Sequence, residues 1–344
     1  MNFASDNAYG VWPEILAAMS EAAAGAARSY GDDEITAKVR ARFQALFERP
    51  VAAFPVISGT AANALALATL VPAHGAIFCH GESHIAVDEC GAPEFYTHGA
   101  KLVGLKGTDG KIAPAAIEQA LGHFLKGFVH HVQPAAVSIT QSTELGTVYT
   151  PQEVSAISAL ARRHGMKLHM DGARFANALA HLGCTPAQAT WRAGVDVLSF
   201  GATKNGALGA EAVIFFDPAE ARDFEYRRKK AGHLLSKMRF VSAQLDAYLS
   251  GTRWLDHAGQ ANALAKKLAE GLRPVRGAEI AHPVEANAVF VRLPDTTVAR
   301  LRAAGAVFYD WGPASGGRTL IRLVTSFATP EEDVERLVKL ASSE

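Results

Sequence analysis

Two segments decide the fold of this chain: KLHMDGAR at residues 167–174 and VDVLSFGATKNG at residues 195–206. Each begins with a short apolar run and ends in small and polar residues, as buried strands do where they leave a parallel sheet. A segment of helical composition, RFANALAHLG, lies between them, and the apolar run AVIFF follows at residues 212–216. This order predicts βαβ units and a mostly parallel sheet covered by helices.

The same alternation continues upstream. Strand-like VAAFPVI, AIFCH, KLVGL and AAVSIT alternate with the helical segments TAANALALATL, PAAIEQAL and PQEVSAISALARRHG. Downstream of about residue 218, long helical segments precede the short strands NAVFVRL and TLIRLV. We therefore expect a large α/β domain over residues 1–245, including the N-terminal segment, and a smaller α+β domain over residues 246–344.

Composition favours small-molecule chemistry. The 344 residues include 34 Lys and Arg against 34 Asp and Glu, so no overall field attracts nucleic acid or an anionic membrane. The three cysteines, Cys79, Cys90 and Cys184, form no CxxC motif, which favours a reducing compartment such as the cytoplasm. We expect no membrane span and no export, because neither a long apolar stretch nor a signal-like N-terminus is present.

Polar residues follow the predicted strands, where an open parallel sheet binds its ligands. The loop Ser58-Gly59-Thr60-Ala61-Ala62-Asn63 comes after VAAFPVI and opens a helix. Its glycine permits close approach of the backbone, and the free amides of a helix start favour an anion such as phosphate. An ordinary capped helix start would have the same composition, and the sequence leaves both interpretations open.

Two further loops carry an acid and a lysine. Asp171 and Arg174 follow the run LHM, where a surface ion pair is an alternative account. Lys204 lies in Gly201-Ala202-Thr203-Lys204-Asn205-Gly206 between two buried strands, where an ammonium ion needs a partner. Pyridoxal phosphate requires a phosphate-binding loop, an acid that keeps its pyridine nitrogen protonated, and a lysine. The three loops together offer these parts, with the lysine 33 positions after the acid.

On these residues the sequence resembles a known family, the low-specificity L-threonine aldolases of the fold-type I (aspartate aminotransferase-like) pyridoxal-phosphate enzymes. The resemblance covers nearly the whole chain, and HMDGAR followed by TKNG is a specific combination. The matching segments are SDNAYG, YGDDE, SGTAANALAL, SHIAVDECGAPEF, QSTELGTVY, HMDGARFANAL, FGATKNG, SKMRF and IRLVTSF. The resemblance implies a fold-type I large domain with a mostly parallel sheet and a smaller C-terminal α+β domain.

The resemblance also assigns roles at the cofactor. Lys204 would hold it as a Schiff base, Asp171 would lie under the pyridine nitrogen, and His84 would stack on the ring and touch the substrate hydroxyl. Lys229 and Arg239 resemble the basic pair that reaches the phosphate from a neighbouring subunit, although a solvated helix face is an alternative. The full set of implied cofactor-binding residues is Ser58, Gly59, Thr60, Asn63, His84, Asp171, Arg174, Lys204, Lys229 and Arg239.

Substrate recognition is implied for Ser5, Arg174 and Arg322, since planar guanidinium groups match a carboxylate. Arg322 could instead be a strand-edge charge, but a buried arginine in the apolar run TLIRLV needs an anion. Tyr30 resembles the tyrosine that enters the active site of the partner subunit. The acidic pair that follows it could simply cap the next helix.

One segment departs from the family pattern. Many members have a histidine after Asn-Thr, where this chain reads Gln141-Ser142-Thr143-Glu144. The base for the β-hydroxyl is therefore open between His84 and Glu144, and Glu144 could also be purely structural. We expect no metal, because a glycine interrupts the helix on which a cluster would have to form from His80, His84, Asp88 and Cys90.

The implied activity is retro-aldol cleavage of L-threonine, L-allo-threonine and related β-hydroxy-α-amino acids to glycine and an aldehyde. The alternatives are phenylserine cleavage, β-elimination or aminotransfer on the same scaffold, and a catalytically silent cofactor-binding protein. The resemblance further implies a homotetramer, assembled as a dimer of dimers with shared active sites.

Overall fold

The central feature of the chain is a mostly parallel sheet, seen in a computed structural model that describes residues 1–343. Its strands are β1 (Ala52–Val56), β2 (Gly75–His80), β3 (Lys101–Leu105), β4 (Gln133–Thr140), β5 (Lys167–Gly172), β6 (Val197–Gly201) and β7 (Glu211–Phe215). They lie in the order β1-β7-β6-β5-β4-β2-β3. Strands β2 to β6 pair in parallel, and only β7 opposes both of its neighbours. The predicted mostly parallel sheet is confirmed.

Helices connect these strands and cover the sheet. They are α1 (Pro13–Ala22), α2 (Glu34–Leu46), α3 (Gly59–Leu70), α4 (His84–Val87), α5 (Ala92–Tyr96), α6 (Pro114–Leu121), α7 (Pro151–Arg163), α8 (Phe175–Leu182), α9 (Pro186–Ala189), α10 (Phe224–Lys230) and α11 (Arg239–Tyr248). Helix α3 packs against β5, β6 and β7, and every residue from Ala61 to Ala68 is buried. Its composition explains both facts, because alanine and leucine favour helix and leave no polar face for solvent.

A second, antiparallel sheet lies in the C-terminal part of the chain. Its order is β10-β11-β9-β8, formed by β8 (Glu279–Ile280), β9 (Ala288–Pro294), β10 (Tyr309–Asp310) and β11 (Arg318–Val324). Helices α12 (Arg253–Leu272), α13 (Asp295–Ala303) and α14 (Glu331–Ser342) accompany it. No helix within residues 1–343 combines the length and the hydrophobicity needed to cross a bilayer.

The two sheets have separate hydrophobic cores, and the change from one to the other falls within α12. Trp254 and Ala258 pack in the core of the large sheet, whereas Leu264 and Leu268 pack in that of the small sheet. Phe3, near the N-terminus, is fully buried in the small-sheet core, where its amide donates to the carbonyl of Val307 at 2.8 Å. The domain boundary near residue 245 stays a prediction.

The carboxyl ends of the central strands define where a ligand can bind. Thr140 of β4 pairs with Asp171 of β5, and Asp171 pairs with Ser199 of β6. The loops after these strands, together with the start of α3, therefore meet at one edge of the sheet. The three loops that the sequence singles out all lie there.

Candidate active site

A cavity of about 270 Å³ lies at this edge of the large sheet. Lys204, Asp171 and the first turn of α3 all line it, as the sequence predicts for a ligand site at strand ends. A second cavity of about 940 Å³ adjoins it and is lined by residues of both sheets. The residues common to the two cavities are Asn7, His84, Glu144, Arg174 and Lys204.

Lys204 reaches the cavity from a short turn directly after β6. The turn, Thr203–Asn205, ends at Gly206, whose φ of 112° places it in the region that favours glycine. A side chain at position 206 would also collide with the indole of Trp12. Burial of the amine, together with the charge of Arg174, lowers the pKa of Lys204, while Asp6 and Asp171 oppose this shift. No carboxylate within residues 1–343 forms an ion pair with it, so the amine is suited to act as a nucleophile.

Asp171 is buried at the end of β5, with 3% of its surface exposed. Its Oδ1 accepts a hydrogen bond from the amide of Ala173 at 2.9 Å, and its Oδ2 accepts one from Asn63 Nδ2 at 2.7 Å. These two donors fix the orientation of the carboxyl group. A buried carboxyl group held in this way is suited to bind a ring nitrogen.

The start of α3 leaves two amides free in the cavity. Ser58 is the N-cap, and its Oγ accepts a hydrogen bond from the amide of Ala61 at 3.3 Å. The amides of Gly59 and Thr60 have no partner within residues 1–343, and both residues line the cavity. Free amides at a helix start bind anions. Asn63 serves differently from its neighbours, because its side chain bonds to Asp171 rather than facing these amides.

His84 and Glu144 line both cavities. Glu144 Oε1 accepts hydrogen bonds from the amide of His84 and from Thr140 Oγ1, both at 2.8 Å. Its Oε2 is buried without a partner. Burial raises the pKa of Glu144 to about 7, against the lowering effect of these hydrogen bonds. Such a carboxyl group can exchange a proton near neutral pH.

Two arginines lie near the second cavity with different partners. The guanidinium of Arg174 donates to Asp6 from Nε at 2.7 Å and from a terminal nitrogen at 3.0 Å. Arg322 stacks over Trp311 with 4.8 Å between its Cζ and the ring centroid, and its buried Nε has no partner. Ser5 also lines this cavity. One terminal nitrogen of Arg322 donates to the carbonyl of Ala4 at 3.3 Å, and Arg322 has no carboxylate partner within residues 1–343, so its charge is available to an anion.

Three residues that the resemblance assigns to the site line neither cavity. Tyr30, Lys229 and Arg239 lie elsewhere on the chain, and Lys229 Nζ lies 4.3 Å from the ring centroid of Tyr30. Arg239 donates to the carbonyl of Gly25 at 3.4 Å. The sequence-based assignment of these residues to a neighbouring subunit's site stays a prediction.

The candidate metal cluster is not assembled as a metal site. Within residues 1–343, no group of three or more His, Cys, Asp or Glu side chains is arranged to hold a metal ion. His84 instead bonds through Nδ1 to Glu89 Oε1 at 2.8 Å.

Sequence reasoning missed three buried acids at the site. Asp6 bonds to Arg174, and Glu89 bonds to His84. Glu211 lines the smaller cavity and accepts from the amide of Ala202 at 3.1 Å, and burial raises its pKa to about 7. Asp6 and Glu89 lie inside the matching segments SDNAYG and SHIAVDECGAPEF, but only tertiary contacts reveal their partners.

Comparison with known proteins identifies close relatives. Residues 2–296 match the family model described as "Beta-eliminating lyase". A low specificity L-threonine aldolase of a Pseudomonas species is 45% identical over 97% of this chain and 95% of its own length, and one of Pseudomonas aeruginosa is 45% identical over 98% and 95%. A solved threonine aldolase of Leishmania major superposes with a TM-score of 0.93 at 31% identity, covering 99% of this chain and 98% of that one.

Proposed function

We propose a reaction for this chain, which belongs to the threonine aldolases of the β-eliminating lyase family. The reaction is cleavage of L-threonine, L-allo-threonine and related β-hydroxy-α-amino acids to glycine and an aldehyde. The observation that carries the proposal is the unpaired amine of Lys204, in one cavity with Asp171 and His84. The cytoplasm, which three unpaired cysteines favour, is the proposed location.

The residues of the smaller cavity fit pyridoxal phosphate. Lys204 would hold it covalently, Asp171 would bind and protonate its pyridine nitrogen, and the free amides of Gly59 and Thr60 would bind its phosphate. When bound, the cofactor supplies an electron sink for the bond that breaks at Cα of the substrate. The fit is supported by these amides, which would otherwise be left without partners.

A second subunit would complete the phosphate site. Lys204 and Arg174 are the cationic residues that line the smaller cavity, and both have roles elsewhere in the site. A phosphate dianion at the start of α3 therefore lacks a dedicated cation from its own chain. Lys229 and Arg239 of a partner subunit would supply it, with Tyr30 beside them, in a dimer that pairs again to a tetramer.

Arg322 would bind the substrate carboxylate, with Ser5 beside it. Stacking on Trp311 and the hydrogen bond from a terminal nitrogen to the carbonyl of Ala4 orient its guanidinium at the second cavity. Arg174 would contribute through its charge and its remaining nitrogen, since Asp6 takes its other donors. Fixing the carboxylate decides which bond at Cα is presented for cleavage.

Proton transfer would fall to His84 or Glu144. Either residue can accept the proton of the β-hydroxyl as the Cα–Cβ bond breaks and the aldehyde leaves. Glu144 has an unpartnered Oε2, and His84 lines both cavities. Cα would then regain a proton and glycine would be released, while Lys204 would be the residue that holds the cofactor between turnovers.

The size of the second cavity favours an aromatic aldehyde product as well as acetaldehyde. Its volume of about 940 Å³ far exceeds the space that a methyl group needs, and Trp311 and Leu320 provide apolar wall. Phenylserine is therefore a second candidate substrate.

Product analysis tests the proposal. The purified holoenzyme is incubated with L-threonine, L-allo-threonine and L-phenylserine, and glycine, aldehydes and keto acids are quantified. We expect glycine with an equal amount of acetaldehyde or benzaldehyde. A 2-keto acid with ammonia, and no glycine, would instead identify a β-eliminating lyase.

A further inference from the structure

A buried carboxylate lies directly behind His84. Glu89 has 4% of its surface exposed, and its Oε1 lies 2.8 Å from His84 Nδ1. The same oxygen accepts a hydrogen bond from Asn63 Nδ2 at 2.8 Å. An ionised carboxylate can only accept hydrogen bonds, so the imidazole must carry its proton on Nδ1. His84 Nε2 is then the nitrogen that is free to accept a proton.

We propose that Glu89 is a positioning residue for His84, which keeps the imidazole in the tautomer whose Nε2 can act as a base. The inference rests on the proposed aldolase reaction, in which His84 contacts the substrate hydroxyl. A carboxylate bonded to the far nitrogen of an imidazole fixes ring orientation and stabilises the imidazolium that forms when the base takes a proton.

Asn63 ties this pair to the proposed cofactor acid. Its Nδ2 donates one hydrogen to Glu89 at 2.8 Å and the other to Asp171 Oδ2 at 2.7 Å. Both carboxylates and the amide are buried. The Asn63 side chain thus fixes the distance between Asp171 and Glu89. Through this link, Glu89 and His84 are anchored to the edge of the sheet.

The charges around His84 support the pairing. The hydrogen bond that His84 donates to Glu89 raises the pKa of His84, burial opposes the rise, Asp171 adds to it and Lys204 opposes it. Glu144 contacts the backbone amide of His84, not the ring. Burial raises the pKa of Glu89 itself, and the hydrogen bond with His84 partly offsets this rise.

Kinetics of Glu89→Gln in the holoenzyme test the role. The carbonyl oxygen of glutamine can still accept from Nδ1 and from Asn63, but it carries no charge to stabilise the imidazolium that forms when Nε2 takes a proton. We expect kcat for threonine cleavage to fall about 100-fold with KM within about twofold, as for other losses of a residue that orients a histidine. Glu89→Asp, which keeps the charge, should recover part of the loss. In a His84→Asn background, Glu89→Gln should add little, because both changes disable one unit.

The matched control is Glu94→Gln on α5, which removes a carboxylate five positions along and lines neither cavity. Its kcat should equal that of the wild type. The proposal is overturned if Glu89→Gln lowers kcat equally with His84 present or absent, or if it changes only KM or the melting temperature. Either outcome would make Glu89 a structural residue.

A readout independent of catalysis separates this inference from the proposed function. The rate at which diethyl pyrocarbonate modifies His84, followed against pH by peptide mass spectrometry with and without pyridoxal phosphate, reports the pKa of that imidazole. We expect this pKa to be lower in Glu89→Gln than in the wild type and to be unchanged in Glu94→Gln. An unmoved pKa refutes the positioning role even if threonine is cleaved, whereas a wild type that yields no glycine refutes the aldolase alone.

Discussion

The two cavities of the active site are built in different ways. The smaller one, at the proposed cofactor, is lined largely by residues at the ends of neighbouring strands of one sheet and at the start of α3. The larger one takes its residues from both sheets and from the N-terminal segment, including Ser5, Asp109, His282 and Arg322. The first is therefore built mainly on one sheet, and the second on contacts between the two sheets.

This difference decides how each part holds its charges. At the proposed cofactor site, Asp171 is satisfied by one amide of its own loop and by one side chain of the buried helix α3. At the larger cavity, Asp6 holds Arg174 from 168 positions away and also accepts from Asn287 at 3.1 Å. Changes near Lys204 should therefore act on the chemistry, whereas changes near Asp6 should act on stability and substrate binding.

The largest expected effect is that of Lys204→Ala. Loss of the covalent amine should lower threonine cleavage by about 10³-fold or more, because no other side chain can replace the nucleophile. The cofactor should also no longer be fixed to the chain by borohydride, which mass spectrometry detects. The exposed Lys106→Ala is the control and should keep full activity. Wild-type turnover in Lys204→Ala would refute the assignment.

Asp6→Asn should cost about 3 kcal/mol of unfolding free energy, because it leaves the guanidinium of Arg174 without its counter-charge. Burial would raise the pKa of Asp6, but Arg174 and Lys204 hold it below its usual value. The stabilisation is thus complete above the unfolded value of 3.8 and is lost as pH falls through the lower folded value. Urea unfolding at pH 7 and below pH 4 measures both effects.

The same substitution in an exposed ion pair is the control for Asp6. Asp32 pairs with Arg28 at 3.1 Å, and both side chains are more than 70% exposed. Asp32→Asn should change the unfolding free energy by less than about 1 kcal/mol. Equal costs for the two variants would show that the buried pair contributes no more than the exposed one.

Glu144→Gln distinguishes the two candidate bases, because kcat should fall by about 100-fold if Glu144 is the base and should change little if His84 is the base. A base must be deprotonated, so activity should rise with pH through the pKa of about 7 that burial gives Glu144, and this rise should vanish in the variant. The exposed Glu118→Gln is the control. A pH profile that keeps its rise near 7 in Glu144→Gln would assign the base to His84.

Arg322→Ala should have the smallest effect, mainly a rise of about tenfold in KM for threonine from loss of one carboxylate ligand. Arg318 begins the same strand and bonds to Glu279 outside both cavities, so Arg318→Ala should leave KM unchanged. Steady-state kinetics of both variants measure the difference. An unchanged KM in Arg322→Ala would exclude this arginine as a substrate ligand.

The sequence by itself determined the parts of this protein that depend on local pattern. Apolar runs alternating with helical segments predicted the mostly parallel sheet, since buried strands and amphipathic helices have different periods. The small-residue loops around Asp171 and Lys204 predicted one ligand site, because carboxyl ends of parallel strands meet at one edge. The resemblance to a known family added roles for individual residues, which hydrophobic periodicity and motif spacing do not predict.

Only the tertiary structure decided which charges are paired. Nothing in SDNAYG indicates that Asp6 takes the fork of Arg174, and nothing in SHIAVDE indicates that Glu89 lies behind His84. Asn63, predicted to bind the cofactor, also links Glu89 to Asp171, which the sequence does not indicate. Such contacts join segments that are distant in sequence, and their strength depends on burial, which a linear pattern of residues does not encode.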